Sequence, residues 1–125
     1  MNRILLLKAL AFLPLCTLIW GCGESYERAD AVKARGALKT ALDAWKEGKS
    51  HQTLRKNTPE IVFNDPEFLA SKKLLNFEIA KDDLHNHLHA QFHVKLSFDV
   101  EDEIVDKNIV YIVATNPVLV ITRPE

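Results

Sequence analysis

Glycine is scarce in this chain of 125 residues, and its distribution excludes two classes of nucleotide-binding protein. The four glycines are Gly21, Gly23, Gly36 and Gly48, so no glycine-rich loop can form later in the chain. P-loop and dinucleotide-binding folds both cradle phosphate groups with such loops. The sequence therefore predicts neither fold.

An excess of positive charge is also missing. The chain has 16 Lys and Arg residues against 17 Asp and Glu residues, which gives a net charge of −1. Proteins that bind nucleic acid through its phosphates need a clearly basic surface, so we expect no nucleic-acid partner. With 47% hydrophobic and 26% charged residues, the composition is that of an ordinary globular protein, and the length allows one domain.

Cysteine is nearly absent. The two cysteines, Cys16 and Cys22, both lie within the first 22 residues. A fold stapled by disulfides is therefore excluded for the remainder of the chain, and its stability must come from a hydrophobic core.

The first 22 residues have the organisation of a secretory signal. Arg3 gives a positive start, and an apolar stretch interrupted by Lys8 continues without charge from Ala9 to Trp20. These twelve uncharged residues are too few for a transmembrane helix, which needs about 20. A positive start, a short apolar core and a small residue before the cleavage site are typical of a signal peptide.

The end of this segment, Leu18-Ile19-Trp20-Gly21-Cys22, resembles the lipobox of bacterial lipoproteins. In that family an aliphatic residue and a small residue precede a cysteine that receives diacylglycerol, and the new amino terminus is acylated after cleavage. The resemblance implies that Cys22 is the lipidated residue, with acyl chains such as palmitate. Acyl chains of this kind hold a protein stably at a membrane.

This reading predicts the organisation of the whole chain. We expect a lipoprotein signal peptide over residues 1–21, a lipidated cysteine and short tether over 22–27, and one domain over 28–125. The membrane is then the first partner, through the lipid anchor, and the chain is held in the cell envelope. Gly23 follows the cysteine where aspartate would resemble an inner-membrane retention signal, which favours the outer membrane.

An amphipathic helix is predicted over residues 26–47. Its apolar residues recur at steps of three and four: Ala31, Ala34, Leu38, Ala41, Leu42 and Trp45. Ser25 or Asp30 can cap its start, and Gly48 ends it. We expect Trp45 to anchor the core.

Alternating patterns predict strands in the rest of the chain. The expected elements are a short helical turn over 51–56, a short strand at 61–63, a helical turn over 66–72, and strands over 75–80, 87–100, 104–115 and 118–123. Asp82-Asp83 is expected to break the second of these strands. The predicted fold class is α+β, with one N-terminal helix packed on a curved four-stranded antiparallel sheet.

A family resemblance adds to this reading. The segments that carry it are Trp45, Gly48, Pro59-Glu60-Ile61-Val62, Asn64-Asp65-Pro66, Val110-Tyr111-Ile112-Val113 and Thr115-Asn116-Pro117. Together they resemble small lipoproteins of planctomycete-type bacteria. The resemblance implies a cystatin-like fold and no catalytic residues.

One histidine cluster is a candidate metal site. His85, His87 and His89 alternate along a predicted strand, where residues two apart share a face at about 6.6 Å spacing. Two imidazoles on one face, with a third ligand such as Glu78, can hold Zn²⁺ or Cu²⁺. The alternative is that they form the solvated face of a strand, and clustered imidazoles can also respond to pH. We expect no bound metal and no cofactor.

No catalytic residues are predicted. The acidic residues around 82–83 and 99–106 fall at expected turns, where carboxylates are solvated and poorly placed for acid–base work. The C-terminal strands, 104–115 and 118–123, are apolar on both faces. Either strand curvature and residues 50–72 cover the second face, or the strands form an exposed surface for self-association or a protein partner.

Two functions follow from these observations. The preferred one is a membrane-tethered, non-catalytic binding or structural module of the cell envelope. The alternative is a metal- or small-ligand-binding domain that uses the histidine-rich strand and is conceivably an enzyme.

Overall fold

The computed structural model describes residues 30–85 and 89–124 of the chain. Within these residues the elements are α1 (Ala31–Lys46), α2 (His51–Arg55), β1 (Ile61–Asn64), α3 (Pro66–Leu69), β2 (Leu74–His85), β3 (His89–Val100), β4 (Glu103–Ala114) and β5 (Leu119–Thr122). This α+β content confirms the predicted class. The signal peptide, Cys22 and the tether lie outside the described residues.

Helix α1 starts and ends where capping rules place its boundaries. The side chain of Asp30 accepts hydrogen bonds from the backbone N–H groups of Val32 and Lys33, both at 3.0 Å. These bonds satisfy two donors that the first turn leaves without a helical partner. Gly48 follows the helix with a φ of +81°, in the left-handed region that glycine adopts at little cost.

The sheet has five strands, so the expected four-stranded sheet is wrong. The strand order is β1-β5-β4-β3-β2. Strands β2 to β5 form the expected antiparallel meander, and β1 joins it by pairing in parallel with β5. The chain passes from β1 through α3 to β2, and these two strands lie at opposite edges of the sheet. Alternation in the sequence does not reveal this arrangement.

Strand β2 continues where a break was expected. It runs through Asp82 and Asp83 to His85, and its pairing with β3 shifts register between Ile79 and Asp83. A β-bulge absorbs an extra residue without ending the strand. The two aspartates therefore mark an irregularity within β2 and not its end.

The core lies between α1 and one face of the sheet. Trp45 is almost fully buried, and its ring contacts those of Phe63, Phe68 and Phe98 at centroid distances of 5.6–6.0 Å. Leu54 of α2 and Phe68 of α3 belong to the same core cluster. All three helices therefore pack on one side of the sheet, and Trp45 is confirmed as a core anchor.

The opposite side of the sheet, which we call the open face, has no helix on it among the described residues. Four half-buried aliphatic side chains lie on it in β1, β4 and β5: Val62, Val110, Ile112 and Val120. Of the two alternatives for this face, coverage by residues 50–72 is not what the structure shows, because Leu54 of α2 and Phe68 of α3 pack on the helix side.

Candidate functional site

The candidate binding site exists because β4 is longer than its neighbour β5. Strand β4 pairs with β3 along its whole length, from Glu103 to Ala114. Its other neighbour, β5, pairs only with Ile112, Val113 and Ala114. Residues 103–111 of β4 therefore have no described strand on that side, and we call this stretch the free edge.

A free edge leaves backbone N–H and C=O groups without strand partners, and such groups accept a further strand. At about 3.4 Å per residue, the free edge is about 30 Å long. Ile104 and Val105 are its exposed apolar side chains, and Ile104 is 73% exposed. Asp106 and Lys107 are charged and point to opposite faces, which discourages indiscriminate pairing between sheets.

A shallow depression of about 850 Å³ lies where the free edge meets the end of β5. Its walls come from three parts of the chain: Pro66 and Glu67 of α3, Gln91 with residues 108–110 and Ile112 of the sheet, and Arg123 with Pro124 after β5. The chain leaves β5 at Arg123, and Pro124 has no N–H to continue the ladder. The depression therefore occupies the space into which a longer β5 would extend.

One wall of this depression is fixed by a buried aspartate. Asp65 is fully buried and caps α3 by accepting hydrogen bonds from the N–H groups of Glu67, at 2.8 Å, and Phe68, at 3.3 Å. Its other carboxylate oxygen accepts a hydrogen bond from the hydroxyl of Tyr111, which is also fully buried. Asp65 thus joins α3 to the end of the free edge.

The phenol of Tyr111 stays neutral over the ordinary pH range. Burial raises the pKa of Tyr111 well above its usual value, and the negative charge of Asp65 raises it further. A neutral phenol keeps its proton and remains a donor to the carboxylate. The Tyr111–Asp65 hydrogen bond is therefore a stable structural link.

Glu67 is the centre of an ionic cluster whose members are Asp65, Glu67, Lys72, Lys107 and Arg123. Its carboxylate accepts hydrogen bonds from Arg123 at 2.6 Å, Lys72 at 2.7 Å and Lys107 at 2.9 Å. Burial alone would raise the pKa of Glu67, but these three cations outweigh it and lower the pKa to about 2. Glu67 is therefore ionised at neutral pH and unsuited to act as a general acid.

The cluster fixes the position of the groups around the depression. Arg123 also lies 3.4 Å from Asp65, and its own pKa is raised because the hydrogen bond to Glu67 and the charge of Asp65 outweigh the effect of burial. Lys72 lies over the ring of Phe98 at 4.4 Å from the ring centroid. Every charged group of the cluster thus has a partner, which is typical of a structural network rather than of a reactive site.

The histidine cluster is only partly described. His85 ends β2, where its backbone pairs with Ala90, and His89 begins β3 and pairs with Ala114. His87 lies outside the described residues. No group of three or more His, Cys, Asp or Glu side chains able to hold a metal is found in residues 30–85 and 89–124. His89 is half-buried, and His93, on the same face of β3, is exposed.

None of the helices in the described ranges is long and apolar enough to cross a membrane. Cys22 and the expected acyl chains lie outside those ranges, so lipidation stays a prediction.

The ionic cluster was not anticipated from the sequence. A helical turn was predicted over 66–72, but Asp65 was not identified as its cap, although aspartate followed by proline and glutamate is a helix-start signal. Nothing in the sequence pairs Glu67 with Lys107, which lies 40 residues later. The sequence did indicate one feature of the free edge, because the last two strands were predicted with unequal lengths.

In comparisons with known proteins, no family model, curated protein or solved structure matches the chain.

Proposed function

We propose that the chain is a membrane-tethered, non-catalytic module of the cell envelope that binds an extended segment of a protein partner along the free edge of β4. The observation that carries the proposal is the strand mismatch, since β5 covers three residues of β4 and leaves 103–111 open. Backbone hydrogen bonds to the free edge would supply affinity, as in other cases of strand addition.

The side chains along the free edge define the chemistry of the segment. Ile104 and Val110 lie on the open face, and Val105 and Ile109 lie on the helix side. An incoming strand with apolar residues at alternate positions would cover these aliphatic groups. Lys107, held by Glu67 at 2.9 Å, keeps a charge on the helix side, so an uncharged or acidic residue is favoured opposite it.

A separate observation supports a non-catalytic function. The carboxylates of Asp65 and Glu67 are occupied by cations and hydrogen-bond donors, and no buried side-chain oxygen or nitrogen in the described residues lacks a partner. With its pKa lowered to about 2, Glu67 is also a weak base, which favours a structural role for it over acid–base work.

The tether and the finer fold assignment belong to the same proposal. The Leu18-to-Cys22 segment supports lipidation at Cys22, with the outer membrane favoured by Gly23. A cystatin-like relationship is supported by one long helix packed on an antiparallel meander, with β1 as an additional edge strand.

Site-specific photocrosslinking in living cells tests the binding proposal. A photoreactive residue replaces Asn108, which is exposed on the free edge, or Thr53, which is exposed on α2 and serves as the control. We expect an adduct of one defined mass from position 108 and none from position 53. An adduct of twice the chain mass would assign the edge to a second copy, and equal labelling at both positions would contradict the proposal.

A further inference from the structure

A second groove lies on the other side of the molecule, between α1 and β2. Its volume is about 500 Å³, and its lining residues are Val32, Arg35, Gly36, Lys39, Phe77 and Ile79. Val32 is 83% exposed and forms one side of the groove. Phe77 and Ile79 are partly buried against the core and form the apolar floor. A Cβ atom built at Gly36 would meet no atom within 4 Å, so the groove is open to solvent at its centre.

The rim of this groove is basic. The guanidinium of Arg35 donates a hydrogen bond to the carbonyl of Ile79 at 3.3 Å and lies over the ring of Phe92 at 5.9 Å. These contacts hold one positive charge beside the apolar floor. Lys33 and Lys39 are exposed on the same helix, which carries four basic residues and one acidic residue, Asp43, with which Lys39 pairs at 2.9 Å.

An acidic turn, formed by Glu101 and Asp102, lies far from the start of α1. The N–H of Asp30 donates to the hydroxyl of Thr115 at 3.2 Å, so α1 starts beside the end of β4. The acidic turn at Glu101 and Asp102 joins β3 to β4 at the opposite end of the sheet. Since β3 and β4 each have 12 residues, this separation is about 37 Å. The acidic turn and the start of α1 therefore lie at opposite ends of the sheet.

The chain outside the structure limits what can lie against the groove. Asp30 lies only eight positions after Cys22. An extended chain spans at most about 3.5 Å per residue, so a lipid on Cys22 would keep the start of α1 within about 28 Å of the bilayer surface. This is comparable to the size of the domain itself.

We propose that this groove docks on an anionic lipid surface. The inference rests on the proposed tether at Cys22 and adds the orientation of the domain. Val32, Phe77 and Ile79 contact the headgroup–acyl boundary, and the basic side chains contact lipid phosphates, which is how basic amphipathic surfaces bind membranes. In this orientation the acidic turn at Glu101 and Asp102 is directed away from the bilayer.

Fluorescence quenching by brominated lipids tests the orientation in the full chain held on vesicles. Gly36→Trp places an indole in the groove, where the structure leaves room for it, and Glu103→Trp places one beside the acidic turn. The unsubstituted chain supplies the background from Trp45. In vesicles rich in phosphatidylglycerol, we expect the fluorescence added at position 36 to be quenched at least about threefold more strongly than that at position 103.

Two further variants make the test specific. Val32→Trp repeats the measurement at a fully exposed position, in case the residue added at Gly36 disturbs folding. The double variant Lys33→Glu/Lys39→Glu should abolish the contrast between the two sites, because it reverses the charge of the rim. Equal quenching at positions 36 and 103 would overturn the inference, as would a contrast that is unchanged in pure phosphatidylcholine.

The proposed tether is tested separately from the orientation. Mass spectrometry of the purified protein shows whether Cys22 carries lipid. If it does not, the proposed tether fails, and the same quenching comparison is made after coupling Cys22 to a maleimide lipid. The orientation is then still decided by the contrast between positions 36 and 103.

Discussion

Replacing Glu67 by glutamine tests whether the ionic cluster stabilises the fold beside the free edge. The glutamine keeps the shape of the side chain and removes the negative charge that Lys72, Lys107 and Arg123 share. Burial opposes ionisation of Glu67, yet the three cations lower its pKa from 4.5 to about 2. At 1.36 kcal/mol per pKa unit, this shift corresponds to about 3 kcal/mol of folding free energy at neutral pH, as an upper value.

The pH dependence follows from the direction of the shift. Because the folded-state pKa of Glu67 is lowered, its contribution is fully present above about pH 4.5 and is lost as the pH falls towards about 2. We therefore expect Glu67→Gln to be less stable than the parent chain at pH 7, with a difference that narrows between about pH 5 and pH 2.

Denaturant unfolding followed by the fluorescence of Trp45 measures this difference, since that ring is buried against three phenylalanines. Glu60→Gln is the matched control, because Glu60 pairs with Arg55 at an exposed position. Such surface pairs contribute roughly 0–1 kcal/mol. A stability difference for Glu67→Gln that is no larger than that of the control, or that does not change with pH, would refute the reasoning.

Three further predictions concern the core, the anchor and the histidines. Leu38→Ala removes a fully buried side chain of α1 and should lower the free energy of unfolding by about 2–5 kcal/mol, measured by denaturant titration. Cys22→Ala should release the protein to the soluble fraction or leave an uncleaved precursor, and a variant still processed and membrane-bound like the parent would contradict lipidation. Calorimetric titration with Zn²⁺ should give a dissociation constant on the order of 10 µM or weaker, since two or three imidazoles fall short of the full ligand set of a tight zinc site. A nanomolar site lost in His87→Ala/His89→Ala would favour the metal-binding function instead.

Local patterns predicted much of the fold from the sequence. Alternation located β3 and β4 to within two residues of their bounds, and the spacing of Leu38, Leu42 and Trp45 identified the buried side of α1. These features depend on periodicity and on capping residues, which act within a few positions of one another. The parallel pairing of β1 with β5 depends on residues about 58 positions apart, for which the sequence carries no local signal.

The candidate site was harder to predict for the same reason. The free edge exists because β5 ends at Thr122 while β4 continues, and only the register of the two strands shows which residues stay open. The cluster around Glu67 combines residues of α3, β4 and the end of β5. In the sequence, each of them resembles an ordinary charged residue exposed to solvent. The bulge that carries β2 through Asp82 and Asp83 was missed because acidic pairs more often end a strand than distort it.

Amide hydrogen exchange along β4 tests most directly whether the free edge binds an extended segment. Exchange is compared for the protein in isolated cell envelopes and for the purified protein in lipid, with Ile112, Val113 and Ala114 as internal controls because β5 already covers them. We predict slower exchange over residues 103–111 in the envelopes and no change at the three controls. Equal exchange over residues 103–111 in both preparations would contradict the proposed function.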